Sequence, residues 1–585
     1  MAALVLVKGE QKENAFGRYC SELLRAEGLN WHCVEQFERQ EVAYLARFRL
    51  VVLTRCFLRQ SELETLLEYV RGGGNLVVFR PCLRLAQALG LEPTQSAQKG
   101  GYLRIQGDGP VGHGLCTESV QVHGLAEHWR LPTGSALQAA ARLGERRDGP
   151  FDHPALAIGG LGQGRIAIFA YDLPAAVAAI RQGDPRRANT LSAGLDGIYR
   201  PSELFVGHLD ADCALIPQAD VHTALLAKVV EWLVGAPMPR LWYYPKPDQS
   251  SVLIMTSDDD WSQVEEFEQL IAATEKRGGR ITFYMVPGSH VPRLLADEWA
   301  ARGHAISVHP DFEAIRGRPE ALQQHGLDEQ FLFEREMLTA SIHQHQRRFG
   351  APVRTIRHHA ARWKGYVDAA RILEELGVGM DFNYVSIWPF SATYMIGSGR
   401  PVKFVDEEGT IIDVFQQSTL YSEDVILAPF IFSLKWPVER ALERARLMLD
   451  EAVTRYYTPV GLNSHPVSFA SYSAPFVEGL FDMARERAMP IITGEEWLDF
   501  TRARQRAEFL AVEAADSTLR FVLAVEGGCP ELSVMVPLGD RQVVEATCDG
   551  TPRPVSIHAR WGHRYALLHL SPVNPTQQLH IEFRA

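Results

Sequence analysis

The sequence predicts a multidomain α/β protein built from three folded parts. A chain of 585 residues is long enough for about three to four domains. Between residues 251 and 504, short apolar strands alternate with helical stretches, a pattern typical of a parallel (β/α) barrel or a doubly wound sheet. Another α/β pattern precedes this region, and short strands joined by turns follow it. We therefore expect an α/β domain over 1–234, a linker over 235–250, a barrel over 251–504 and a small β-sandwich over 505–585.

Composition and charge argue against nucleic acid or an anionic membrane as a partner. Hydrophobic residues make up 46% of the chain, and 59 basic against 71 acidic residues give a formal charge of −12. The eight cysteines include no CxxC pair, so neither a disulfide scaffold nor a cysteine zinc site is expected. The start MAALVLVKGE lacks the basic region of a signal peptide, and no apolar run reaches the roughly 20 residues of a membrane span. We expect a cytoplasmic protein with reduced thiols, and the sequence leaves the oligomeric state open.

Residues 1–234 alternate strands and helices. The runs ALVLV, FRLVVLT and NLVVF each predict a buried strand, and SELETLLEYVRGGG predicts a helix with a Ser-x-x-Glu start and a glycine stop. The glycine-rich segment Gly159–Gly164 lies between two apolar runs with no helix after it, so it predicts a β-hairpin and not a phosphate-binding loop.

The same region, through GGGNLVVF and GQGRIAIFAYDLP in particular, resembles the class I glutamine amidotransferase-like fold. The nucleophile of that family lies on a G-x-C-x-G turn after a strand. Cys56 follows a strand here, but its neighbours are Arg55 and Phe57, without the glycines that so sharp a turn requires. We therefore expect this domain to have no glutaminase activity.

The segments on either side of the barrel are less informative about function. Residues 235–250 carry four prolines and no regular periodicity, which predicts a linker. From residue 505 the chain contains short strands and little helix, which predicts a β-sandwich. This module could bind glycan, or it could only cover the barrel.

The stretch SVLIMTSDDD, Ser251–Asp260, places three carboxylates after a buried strand. Val252–Met255 is continuously apolar, and Asp258–Asp260 follow directly. Ser262 and Glu265 have the spacing of a capping box, so a helix is expected next. In α/β folds such strand-to-helix loops carry the chemistry, and adjacent carboxylates repel one another unless a cation or base uses them.

Other strand ends of the predicted barrel carry further ligand-type residues. His309 follows one strand, Arg357–His359 another, and His465 a late one. Because the carboxyl ends of barrel strands meet on one face, these groups should lie together. Imidazole and carboxylate with one open position form the ligand set of catalytic zinc, and nickel or cobalt would also suit it.

These motifs resemble those of the polysaccharide deacetylase (NodB-type) family of metal-dependent carbohydrate esterases. Thr256–Asp259, TSDD, matches its T-[FS]-D-D motif, and GHAISVH, which ends at His309, matches its second motif. TIRHH supplies the arginine of the third motif, and LNSHP matches the late L-x-x-H-P motif. The resemblance implies that Asp258 is the catalytic base and that Asp259 and His309 are metal ligands. It also implies that Arg357 orients the base and that His465 is the general acid.

The third metal ligand departs from the family pattern. The position four residues after His309 holds Glu313 and not histidine, and His358 and His359 replace the usual proline and tyrosine. By strand alternation His359 lies on the same side as Arg357, so we expect His359 to be the ligand, with His358 and Glu313 as alternatives. Aromatic residues follow the next strand, and we expect His358, Trp388 and Tyr394 to contact substrate.

The sequence therefore predicts a metal-dependent amidohydrolase that removes N-acetyl groups from an amino-sugar-containing glycan or precursor. A metal would lower the pKa of a bound water to roughly 7 and polarise the acetamide carbonyl. Two alternatives remain: hydrolysis of a non-sugar amide, and a barrel without catalysis that binds glycan or serves as a scaffold.

Overall fold

The computed structural model describes residues 2–8, 11–37, 41–191, 198–235, 237–311, 327–385, 398–429 and 433–584. The fold is a mixed α/β arrangement with five sheets among these residues. The buried apolar side chains form one continuous core that runs through all parts of the described chain. None of the described helices is both long enough and apolar enough for a bilayer crossing.

The amino-terminal part is built on a nine-stranded sheet of order β2-β1-β3-β4-β11-β10-β9-β6-β7. The first five strands in this order, β2, β1, β3, β4 and β11, pair in parallel. The pairings from β11 to the end of the order are antiparallel. Strands β5 and β8 form a separate antiparallel pair. In chain order, β1 to β11 are Ala2–Leu6, His32–Glu35, Leu50–Leu53, Asn75–Phe79, Glu92–Lys99, Tyr102–Ile105, Val120–Gln121, Leu125–Arg130, Leu137–Gly144, His153–Leu161 and Gly164–Phe169.

The predicted strands and hairpin of this part are confirmed. The runs FRLVVLT and NLVVF contain β3 and β4, and every residue of both strands is buried, as expected for parallel strands covered on two faces. Segment Gly159–Gly164 joins β10 to β11, with Leu161 opposite Gly164 and with Gly162 in the left-handed region at φ +64°. A tight antiparallel connection of this kind needs glycine because a Cβ atom would strain it. In chain order, the helices α1 to α6 are Tyr19–Ala26, Val42–Leu45, Gln60–Arg71, Leu83–Ala88, Leu173–Gln182 and Gln218–Val234.

The segment predicted as a linker contains a short strand, β12 (Arg240–Leu241), which pairs with a strand of the carboxyl-terminal part. Trp242, Tyr243 and Tyr244 follow it and are buried. Burial of three aromatic side chains removes a large apolar area from water, so this segment is fixed against its neighbours.

The central part is built on a curled, ten-stranded half-barrel sheet. Its main path is β18-β19-β17-β16-β15-β14-β13-β21-β20, with β22 paired to β13. All pairings are parallel except that of β18 with β19. In chain order, β13 to β22 are Leu253–Asp258, Thr282–Met285, Ala305–Val308, Thr355–Ile356, Met380–Asp381, Val402–Val405, Ile411–Gln416, Tyr421–Ser422, Val460–Ser464 and Ile491–Ile492.

The structure adds β18 and β20 to the eight strands that the sequence predicts here, which are all present. Those eight correspond to Val252–Met255 and the runs RITFYMV, HAISVHP, VRTIRHH, VGMDFNYV, TIIDVFQ, VGLNSHP and PIITG. Among the described residues, no pairing joins β18 to β20, so the sheet curls without closing as the predicted barrel would. The antiparallel edge strand β18 gives a physical reason, since it ends the parallel repeat. In chain order, the helices α7 to α15 are Val264–Glu275, Arg293–Ala301, Leu327–Phe349, Asp368–Glu375, Glu423–Leu427, Val438–Glu451, Pro466–Ser468, Ala474–Glu486 and Gly494–Arg506.

Shorter helical turns connect these elements. The 3₁₀ turns are Lys12–Gly17, Pro185–Arg187, Pro201–Phe205, Ala211–Cys213 and His359–Ala361, and the π turns are Ala452–Tyr456 and Phe469–Ser473.

Helix α7 begins one residue later than the predicted capping box. The Gln263 N–H donates to the Glu266 carboxylate at 2.7 Å, while the Ser262 hydroxyl donates to the Asp259 carbonyl. Ser262 therefore holds the aspartate loop and does not cap the helix.

The carboxyl-terminal part consists of two antiparallel sheets. One has the order β12-β25-β29-β28 and the other β23-β24-β30-β26-β27. In chain order, β23 to β30 are Glu508–Ala514, Thr518–Ala524, Leu532–Pro537, Gln542–Cys548, Thr551–Pro552, Val555–Arg560, His563–Leu570 and Thr576–Arg584. Strand β12 therefore joins the segment just before the central sheet to the carboxyl-terminal part.

Candidate active site

A cavity of about 230 Å³ lies at the carboxyl edge of the central sheet. Strand β13 pairs in parallel with both β14 and β21, so the residues after these strands meet at one edge. The polar residues that line the cavity are Asp258, Asp260, Asp424, His309, His359, His465, Arg200, Arg357, Asn463, Ser202, Ser422 and Ser433. Five sequence-predicted residues, Asp258, His309, Arg357, His359 and His465, are thus brought to one place.

The Asp258 carboxylate is fixed by hydrogen bonds from two buried side chains. Arg357 Nη1 donates to its Oδ1 at 3.0 Å, and Asn463 Nδ2 donates to its Oδ2 at 2.8 Å. Arg357 is itself buried, and its Nη2 donates to the Thr419 hydroxyl at 2.8 Å. Burial alone would raise the pKa of Asp258, but Arg357, His309 and other charged groups lower it below its ordinary value. Asp258 is therefore an ionised carboxylate in a fixed orientation.

The two following aspartates take opposite directions. Asp260 lines the cavity, with Oδ1 3.4 Å from His309 Nε2 and Oδ2 3.6 Å from His465 Nε2. The Asp259 side chain lies outside the cavity lining, and its Oδ2 accepts from the Val286 N–H at 3.3 Å. Burial raises the pKa of Asp259 to about 6, whereas the neighbouring histidines hold the pKa of Asp260 well below its usual range despite burial. This placement differs from the expectation that Asp259 faces the metal site.

Backbone conformation explains why Asp260 turns back into the cavity. Asp260 and Trp261 both have positive φ, at 43° and 58°, and so do Ala360 and Ala361, at 57° and 52°. Such conformations cost about 1–3 kcal/mol each in residues other than glycine and cluster at functional sites. Two loops with this strain therefore face each other across one cavity.

His309 presents Nε2 to Asp260 in the cavity, and His359 lines the same cavity. His309 Nδ1 donates to the Arg357 carbonyl at 2.8 Å, which places the proton on that nitrogen when the ring is neutral. His359 Nδ1 lies 3.0 Å from an Asp311 carboxylate oxygen. The two rings meet edge to face with centroids 5.5 Å apart. This pairing of Nδ1 with an acceptor is the arrangement that prepares Nε2 to bind a metal.

His465 is held by a carboxylate that the sequence interpretation missed. Its Nδ1 lies 2.9 Å from Glu423 Oε1, and the same oxygen accepts from the His465 N–H at 2.8 Å. Burial alone would lower the pKa of His465, but Glu423, Asp424 and Asp260 raise it well above its ordinary value. His465 is therefore a protonated imidazolium whose Nε2 lies 3.9 Å from Asp258 Oδ2.

Two separate sets of side chains could hold a metal ion. Glu423, Asp424 and His465 bring ligand atoms within 4.8 Å of one another. Asp260, His309 and His359 form a second, wider set, whose ligand atoms do not all lie within that distance. The buried Oδ1 of Asp260, like that of Asp259, accepts no hydrogen bond from the described residues. All three residues of the second set line the cavity, whereas Glu423 of the first set does not, so the second set is better placed to present a metal to a substrate.

The remaining predicted residues fall elsewhere. His358 is not among the residues that line the cavity, since its Nδ1 bonds to the Arg362 carbonyl at 2.7 Å and its ring stacks on Trp363. Strand alternation accounts for this, because His358 points away from the side on which Arg357 lies. Glu313, Trp388 and Tyr394 lie outside the described residues.

Sequence reasoning also missed the part of the wall that comes from the amino-terminal part. Arg200 and Ser202 line the cavity, and Arg200 Nε donates to the Ala360 carbonyl at 2.8 Å. No local pattern could have revealed them, since they lie about sixty positions from the aspartates. For Glu423 a signal existed: two acids follow strand β20 at the same sheet edge.

Comparisons with known proteins found similarity only among solved structures. No protein-family model matches the sequence, and no curated protein matches it significantly. The structure is similar to that of Agd3, a carbohydrate deacetylase, over 99% of this chain and 98% of the other, at 11% identity and a TM-score of 0.45. It is similar to a β-galactosidase from Bacillus circulans over 29% of this chain and 28% of the other, at 14% identity and a TM-score of 0.23. A ThuA-like protein from Bacteroides uniformis matches over 29% of this chain and 81% of its own, at 11% identity and a TM-score of 0.24.

Proposed function

We propose that this protein is a metal-dependent hydrolase that removes N-acetyl groups from an amino-sugar-containing glycan or precursor. The observation that carries the proposal is that Asp258, Asp260, His309, His359 and His465 all line one cavity. A base, an acid and a set of metal ligands are the parts that hydrolysis of an amide requires.

Asp258 acts as the general base. Its orientation by Arg357 and Asn463 directs one carboxylate oxygen to a water in the cavity, from which it takes a proton as the water attacks the acetamide carbon. Arg357 and Asn463 are positioning residues, because both bind the carboxylate and so limit its rotation. The low pKa of Asp258 ensures that the carboxylate is free to accept the proton.

His465 acts as the general acid. Its proton passes to the nitrogen of the departing amine when the carbon–nitrogen bond breaks, so acetate and a free amine are the products. Glu423 holds the imidazolium in place and keeps it protonated.

Asp260, His309 and His359 would hold the metal, with zinc as the best match and nickel or cobalt as other suitable ions. One carboxylate and two imidazoles with an open position form a catalytic zinc set. When bound, the metal activates water and stabilises negative charge that develops on the acetamide oxygen.

The rim of the cavity supports a carbohydrate substrate. Trp261 follows Asp260, is 39% exposed, and contacts the His359 ring edge to face at 5.5 Å. Sugar rings present apolar C–H faces that stack on exposed aromatic rings of this kind.

The test of the function is acetate release from acetamido oligosaccharides by the metal-loaded protein. Acetate release from simple acylamides but from no sugar would instead favour hydrolysis of a non-sugar amide. No acetate release from either kind of substrate would favour a protein that binds glycan or serves as a scaffold without catalysis.

We expect one tightly held metal per chain, lost in the variants Asp260→Asn, His309→Gln and His359→Gln. Each substitution removes one of three ligands while it preserves approximate side-chain size. Elemental analysis of the purified proteins after metal loading measures the stoichiometry directly.

Asp259→Asn is the matched control, because it makes the same change one residue earlier, outside the cavity lining. We expect Asp259→Asn and Glu423→Gln to keep the metal. Metal lost from Asp259→Asn and kept by Asp260→Asn would restore the ligand that the sequence resemblance implies. Loss from Glu423→Gln alone would move the ion to Glu423, Asp424 and His465.

We expect Glu423→Gln to shift the alkaline limit of turnover to lower pH. The negative charge of Glu423 raises the pKa of His465, so the acid keeps its proton to a higher pH in the native protein. Glutamine still accepts a hydrogen bond but carries no charge, so His465 loses its proton at lower pH. The pH profile of kcat measures the shift, and Glu443→Gln on the exposed face of α12 is the matched control. An unchanged alkaline limit would contradict the role of Glu423.

A further inference from the structure

A second cavity, of about 520 Å³, lies in the amino-terminal part and is larger than the candidate active site. It opens at the carboxyl ends of the parallel strands β3 and β4, since Arg55–Phe57 follow β3 and Arg80–Leu83 follow β4. Open α/β sheets bind their ligands in the crevice outside the carboxyl ends of the strands, and ligand cavities commonly measure about 300–1,000 Å³. Position and size therefore both suit a ligand.

Apolar side chains stand exposed in this cavity. Phe57 is 55% exposed and Leu83 is 53% exposed, while the Trp129 ring forms a buried part of the wall. The backbone of Phe57 is fixed, because its N–H donates to Gln11 Oε1 at 2.7 Å and its carbonyl accepts from Lys8 Nζ at 2.9 Å. An exposed apolar ring on a fixed backbone can contact a ligand, and that contact would remove apolar surface from water.

Polar groups surround these rings. Arg80 binds Glu127 Oε1 through Nε at 3.0 Å and through Nη2 at 2.8 Å, so the guanidinium is held at the cavity wall. Arg80 and Gln95 both have positive φ, at 40° and 60°, although neither is a glycine. Strained residues of this kind gather where a ligand is bound.

The chemistry of the cavity points to binding and not to catalysis. Burial raises the pKa of the Cys56 thiol to about 12, so the thiolate that a nucleophile requires is not formed at neutral pH. The exposed Phe57 ring and Leu83 side chain offer apolar surface to the C–H faces of sugar rings. The Arg80–Glu127 pair offers polar groups to their hydroxyls.

We propose that the cavity bounded by Phe57, Arg80, Leu83, Glu127 and Trp129 binds an oligosaccharide. Phe57 and Leu83 contact C–H faces of the sugar rings, and the Arg80–Glu127 pair bonds to hydroxyl or acetamide groups. The proposal rests on the proposed function only in the choice of probe, an acetamido sugar. The site would hold a glycan chain on the protein at a position separate from the candidate active site.

The test uses the full-length protein with the substitution Asp258→Asn, so that the probe is not hydrolysed. A β-linked N-acetylglucosamine pentamer and a glucose pentamer of the same linkage are titrated by calorimetry. We expect saturable binding of the acetamido pentamer, weakened about tenfold or more by Phe57→Ala, since burial of a phenylalanine side chain contributes at least that factor. Leu83→Ala should weaken binding less, and Leu294→Ala, an exposed leucine on α8, should leave it unchanged.

Equal affinity of the Phe57→Ala protein and its parent would overturn the proposal, as would the absence of saturable binding with both pentamers. Phe57 is exposed, so its substitution should leave the thermal unfolding midpoint unchanged, and that measurement excludes misfolding. Binding that depends on Phe57 in a protein whose wild type releases no acetate would sink the hydrolase function but keep this site. Acetate release by the wild type without Phe57-dependent binding would support the hydrolase function and overturn this binding site.

Discussion

Turnover should fall about 10²–10⁴-fold in the Asp258→Asn variant, the usual contribution of a positioned proton-transfer group. Asparagine keeps the size of the side chain but cannot take a proton from water. Its amide can still accept from Arg357, whose Nη1 lies 3.0 Å from Asp258 Oδ1 in the native protein. The loss should appear in kcat with KM changed little, because the group acts on the transition state and not on substrate binding.

Two measurements separate loss of the base from loss of the site. The Asp258→Asn protein should keep its metal, since Asp258 is not a proposed ligand, and it should still unfold cooperatively, although loss of the buried pair with Arg357 should lower its unfolding midpoint. A variant that retains metal and turns over within tenfold of wild type would eliminate Asp258 as the base. Asp260 would then be the remaining carboxylate of the cavity close to both His309 and His465.

The aspartate loop shows how far sequence could predict the site. Strand-end spacing was enough to bring Asp258, His309, His359 and His465 together, because parallel strands impose a common edge. Strand-end spacing could not decide whether Asp259 or Asp260 faces the cavity. That choice depends on the left-handed backbone at Asp260, and the sequence carries no glycine to signal such a turn.

Long-range contacts limited prediction of the fold in the same way. The apolar periodicity located eight central strands but missed β18 and β20, which have four and two residues and lie at the two ends of the sheet path. Closure of a barrel depends on strand number and stagger around the whole sheet, which no local run encodes. The wall supplied by Arg200 is likewise a property of packing between parts of the chain.

Stability should fall by about 3–5 kcal/mol in the Glu231→Gln variant, the usual cost of removing one partner from a buried charge network. Glu231 on α6 accepts from Arg240 Nη1 at 2.5 Å, from Lys228 Nζ at 3.0 Å and from the Tyr565 hydroxyl at 2.9 Å. These partners belong to α6, β12 and β29, so one carboxylate joins the amino-terminal part to the carboxyl-terminal sheets. Glutamine leaves both cations buried with less compensation, and the midpoint of urea unfolding followed by tryptophan fluorescence should fall.

The matched control is Glu478→Gln, which removes the same charge from a pair with Arg277 at 3.0 Å where Glu478 is 40% exposed. Exposed pairs contribute about 0–1 kcal/mol, so the control midpoint should stay close to wild type. The pH dependence gives a further check. Burial alone would raise the pKa of Glu231, but Lys228 and Arg240 lower it to about 2, so this stabilisation is complete above the ordinary glutamate range and is lost as pH falls toward 2. Equal midpoints for the two variants would mean that apolar packing alone, and not this charge network, joins the parts of the chain.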